Sequence, residues 1–148
     1  MATSFNDPTY LEAVYAALLA QLKTATFAGN LQVQTWGRIL VLPDQVAAQP
    51  GVFVLNTPLH VEQKEFALAK WNLVATVVVY FQSDPTVANY LLWGLMQSLL
   101  TKDFGSYQKQ TLGGLVYHAW VEGPLYIETQ DTQAVMTFPV LMLAGDVG

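Results

Sequence analysis

The segment Trp71–Gln82, WNLVATVVVYFQ, constrains this chain more than any other, because β-branched and aromatic residues fill it almost end to end. Alternation puts Leu73, Ala75, Val77, Val79 and Phe81 on one face and Val74, Thr76, Val78 and Tyr80 on the other. Both faces are apolar, so the strand belongs inside a sheet covered on both sides. One of those covers can be a partner protein.

Two helices are predicted from a shared Asp-Pro start, in which Asp is a preferred N-cap and Pro suits the first helical position. From Asp7-Pro8 the apolar residues Leu11, Val14, Tyr15, Leu18, Leu22 and Ala25 recur at helical spacing to about Ala25. Ala13, Ala16, Ala17 and Ala20 on the far side read as good helix formers. From Asp84-Pro85 a second helix runs to about Leu100, with Val87, Ala88, Leu91, Leu92, Leu95 and Leu99 on its broad face. Its other side carries Tyr90, Trp93, Met96 and Leu100, so it is apolar nearly all round and is expected to be buried all round. These four residues are candidates for a subunit interface, Trp93 foremost because it points away from the main stripe. The repeated D-P-T is a common cap and not a duplication.

Further strands are expected at Gln32–Leu42, Val52–Asn56, Leu115–Glu122, Leu125–Glu128 and Ala134–Leu143. Turns fall at Ala28-Gly29-Asn30, 43–51, 67–70, 102–106, Gly113-Gly114, Gly123-Pro124 and 129–133. Pro139 within the last strand suggests an edge position or a bulge, since Pro cannot donate to the ladder. The order helix, strands, helix, strands describes an α+β fold: a mainly antiparallel β-sheet with two helices packed on one face. At 148 residues without linker or low-complexity tract, one domain over the whole chain is expected.

Charge decides what such a domain does with its surface. Asp, Glu, Lys and Arg make up 11% of the residues, against about 25% in a typical soluble domain. Hydrophobic residues make up 53% and mean hydropathy is +0.32. The surplus apolar surface needs a membrane or other subunits. The longest uncharged helical run, Pro85–Thr101, is 17 residues and includes Asn89, Gln97 and Ser98, short of the about 20 apolar residues of a spanning helix. The start MATSFNDP reads as no signal peptide. A net charge of −5, with Arg38 and the five lysines dispersed, argues against nucleic-acid binding. Other protein subunits, or copies of the same chain, are left.

Chemistry is sparse. Cysteine is absent, which removes thiol nucleophiles and Cys-based metal sites. His60 with Glu62, and His118 with Glu122, are two-ligand coincidences where zinc gathers three or four. Glu122 and Glu128 as an acid/base couple would need one raised pKa, and Glu128 beside a polar turn reads as solvated charge. Ser4, Ser83, Ser98 and Ser106 lack a nucleophile-elbow context, and Gly113-Gly114 alone makes no phosphate loop. Four tryptophans fit core and interface better than a stacking platform. No catalytic residue, cofactor site or metal site is expected.

The run Lys109-Gln110-Thr111-Leu112-Gly113-Gly114-Leu115-Val116-Tyr117-His118, followed by Glu122-Gly123, resembles the tail-terminator (tail-completion) proteins of long-tailed bacteriophages and prophages. So does Ala69-Lys70-Trp71 leading into the long strand, with the element order from Tyr10 to Leu143. Gly113, Gly114, Tyr117, His118, Glu122 and Gly123 carry the likeness as structure, not as catalytic residues. Trp120 departs from it, at a place that is often smaller or polar. The resemblance implies a hexameric ring on the end of the tail tube that stops tube polymerisation and offers a docking surface to a head-side neck or connector protein. It implies no cofactor, no membrane, and a virion location. Genomic DNA would pass through the ring without specific binding, which suits an acidic chain.

Other readings stay open at this level. One is a different neck or tail protein, such as a stopper, adaptor or tube subunit. Another is a small-ligand-binding α+β module with Trp36, Trp71 or Trp120 lining an apolar pocket. A metal hydrolase on His60 and His118 is the remotest.

Overall fold

Asp84 begins its helix as its chemistry dictates: Oδ1 accepts the Thr86 N–H at 2.8 Å and Pro85 occupies the first turn of α2 (Pro85–Leu100). The computed structural model describes residues 7–39, 49–56, 70–101, 110–121, 123–130 and 132–145. Asp7 behaves differently from the sequence expectation. Its Oδ1 accepts both the hydroxyl and the backbone N–H of Thr9, at 2.6 and 2.8 Å, and those bonds hold the carboxyl below the usual carboxylate range. With the carboxylate engaged in that local turn, α1 begins at Tyr10, not Pro8, and runs to Leu22. It stops short of Ala25, and the chain then makes the expected turn, a short 3₁₀ segment at Ala28–Asn30.

Six strands follow: β1 (Thr35–Gly37), β2 (Gly51–Asn56), β3 (Lys70–Gln82), β4 (His118–Val121), β5 (Tyr126–Gln130) and β6 (Gln133–Gly145). They form one sheet in the order β1-β2-β3-β6-β4, with β5 also on β6. Only β1–β2 is parallel. β3 and β6 pair over their whole length, Lys70 opposite Gly145 to Gln82 opposite Gln133, and form the spine. The α+β fold is therefore the expected one.

Several bounds differ from expectation, each for a local reason. Among its described residues the stretch from Gln32 is strand only at Thr35–Gly37. The Leu115–Glu122 strand begins at His118, because Thr111–Tyr117 is spent in turns. Pro139 lies neither on an edge strand nor at a chain end. β6 is an inner strand, with β3 on one flank and β5 and β4 in succession on the other. On that second flank β5 pairs with Gln133–Thr137 and β4 with Val140–Leu143, so Pro139 falls in the gap between them. Gly123 stands in that gap, at φ 102, close enough that a Cβ there would lie 3.1 Å from Pro139 Cγ.

The core lies between the helices and one face of the sheet. Val14, Tyr15, Leu18 and Leu22 of α1 and Leu91, Leu95 and Leu99 of α2 pack on Leu73, Val77, Val79, Met136, Phe138 and Met142. Gln21 Nε2 ties the helices by donating to the Ser98 carbonyl at 2.6 Å. The reverse face holds a smaller cluster of Phe53, Val78 and Tyr80, flanked by half-buried Leu55 and Val135. Both faces of β3 are thus apolar and largely buried. The loop 43–48, the hairpin 67–69, the polar turn 102–106, Lys109, His60, Glu62 and Glu122 lie outside the described residues.

Candidate functional site

Helical spacing brings Tyr90, Trp93, Met96 and Leu100 to one side of α2, and the edge of the sheet completes a groove around them. Its volume is about 780 Å³, and its far wall is Val121 of β4, Gly123 and Leu125. No charged side chain lines it among the described residues. Trp93 is 68% exposed and Leu100 64%. The expectation that α2 is buried all round therefore fails in the single chain: one face is in the core and the other is open. A smaller depression of about 310 Å³ shares Met96, Leu100 and Val121 with the groove and reaches His118 and Trp120. The two form one apolar strip beside the β4–β5 edge. Register extends it, because Ile127 sits opposite core Met136 and so faces the helix side, where it is 46% exposed.

The floor of the groove depends on a close crossing. Gly94 of α2 meets the Phe27 ring and the Thr26 carbonyl with no room for a side chain. One turn earlier, the Tyr90 ring lies against Gly29, whose φ of 70 favours glycine. These contacts fix the 26–30 turn against α2 and set Ala28 into the groove wall.

The Gln110–His118 run is a tightly folded turn bound to its surroundings by its own polar groups. Gln110 is buried; its Nε2 donates to the Thr101 carbonyl at the end of α2 and its Oε1 accepts the Leu112 N–H at 3.0 Å. Leu112, Gly113 and Gly114 take φ of 52, 75 and 91, and Thr111 closes the turn through the N–H groups of Gly114 and Val116. Tyr117 N–H then donates to the Leu143 carbonyl at 2.8 Å and starts the approach to β6. His118 stacks on Trp120, with centroids 4.8 Å apart. Tyr10 OH donates to the Leu115 carbonyl and holds the turn to α1. The two glycines serve backbone conformation, in open space.

Other candidates disperse. Trp36 lies in β1 and Trp120 in β4, at opposite edges of the sheet, about 19 Å apart across its four strand spacings and offset further along the strands. They share no pocket. Glu128 is exposed on β5. Among the described residues no group of three His, Cys, Asp or Glu could hold a metal, and no helix is long and apolar enough to cross a membrane.

Reading the sequence missed two features. Arg38 is a clamp: it binds both Glu12 oxygens at 2.6 and 2.9 Å, Asn56 Oδ1 at 2.8 Å and the Val54 carbonyl at 3.2 Å. Its guanidinium also lies over the Tyr15 ring. A lone arginine within the expected Gln32–Leu42 strand was its only signal. Leu125 and Ile127 were the other omission: alternation puts them on one face, opposite Tyr126 and Glu128, but nothing in the strand says whether that face is covered.

No family model matches the sequence, and no curated protein matches it. The fold does match solved structures. One is a chain of the virion of a native gene transfer agent particle, with a TM-score of 0.62 and 13% identity, over 94% of this chain and 99% of that one.

Proposed function

We propose that this chain is a structural subunit of a phage-like virion, and within it a tail terminator. In this reading copies form a ring, six in number, at the head-proximal end of the tail tube. The ring stops tube growth and presents a docking surface to the head-side neck. The observation that carries the virion role is the end-to-end likeness in fold to a gene transfer agent virion chain, which leaves almost nothing of either chain unmatched. The finer placement rests on the resemblance of the Gln110–His118 run and its neighbours to tail terminators. The uncharged groove on α2 agrees with a subunit role, since it presents the exposed side chains of Trp93 and Leu100 together, as the apolar centre of a protein contact does. The role needs no catalysis and no cofactor. A chain of net charge −5 offers few cations to passing DNA.

The test is light scattering on the size-exclusion eluate, negative-stain imaging, and addition to growing tail tubes. Closed rings, or arrest of tube growth with density at one tube end, are expected. Open filaments of the purified protein would instead make it a tube subunit. A protein that neither forms rings nor arrests tubes ends the tail-terminator reading. A ligand-binding module is disfavoured, because the groove wall contains a largely exposed indole where a small-molecule site would bury its aromatics.

A further inference from the structure

We draw no further inference here: the strongest candidate, the apolar groove on the open face of α2 with Trp93 and Leu100 exposed in it and the β4–β5 edge as its far wall, is an unpartnered surface, and nothing in the structure shows what covers it.

Discussion

Replacing Gly94 with alanine isolates the crossing that shapes the groove. A Cβ at this position would lie 2.3 and 2.6 Å from Phe27 Cδ1 and Cε1 and 2.7 Å from the Thr26 carbonyl oxygen. The ring could turn aside, but the carbonyl belongs to backbone and moves only if the 26–30 turn moves. In an open helix the same change would stabilise by about 1 kcal/mol, since alanine is the better helix former. Overpacking of a tight core costs about 1–3 kcal/mol, and an immovable neighbour places this site at the upper end. The net expectation is a loss of about 2 kcal/mol, or about 4–8 °C in Tm for a domain of this size. Thermal and urea unfolding at one fixed protein concentration would measure it, because assembly makes Tm concentration-dependent. A Phe27→Ala background should shrink the Gly94→Ala penalty without abolishing it, since the Thr26 oxygen stays. If Gly94→Ala is as stable as the wild type or more so, α2 and the 26–30 turn do not meet as described, and the groove wall built on that contact is wrong.

Three other perturbations probe separate parts of the molecule. Arg38→Met removes the ties to Glu12, Asn56 and Val54; with Glu12 largely solvated the loss should be about 1–2 kcal/mol in urea titrations, and Arg38→Lys should recover only part of it. Gln110→Ala leaves the Thr101 carbonyl and the Leu112 N–H without their buried partner and should cost about 2–4 kcal/mol, read from the same titrations. Burial pushes the phenols of Tyr15 and Tyr80 above their ordinary 10.0, with Arg38 opposing the shift at Tyr15. Above that pH the unfolded chain gives up protons that the folded chain retains, so stability should be full below about pH 10 and fall as pH rises through the folded values. Tyr15→Phe should flatten that fall in a Tm-against-pH series, while losing about 1 kcal/mol at neutral pH with the hydroxyl's bond to Val74.

Much of the fold was legible in the sequence because its strongest signals are local. The β-branched run of β3, the Asp84-Pro85 cap and the stripe Leu91, Leu95, Leu99 depend on period and capping chemistry, and all three stand where they were expected. The failures came where a local signal had a rival. Asp7 carries the same cap chemistry as Asp84, yet its carboxylate satisfies Thr9 and delays the helix. Pro139 looked like an edge residue because the ladder it interrupts was assumed to be continuous. The partner flank is instead two strands with a break at Gly123-Pro124, and a missing donor there disturbs no pair.

The candidate site divides in the same way. That Tyr90, Trp93, Met96 and Leu100 share one side of α2 follows from 3.6 residues per turn and needed no coordinates. Which side of α2 stays open, and that Val121 and Leu125 wall it, follow from strand order and from how α2 lies over β4. The amino-acid order alone determined that this chain has one helix with an apolar stripe and a second apolar nearly all round, a sheet spine with two apolar faces, and too few charges to coat its surface. Only the tertiary structure decided where the uncoated surface lies, because exposure is a property of what packs across an element and not of the element's own residues.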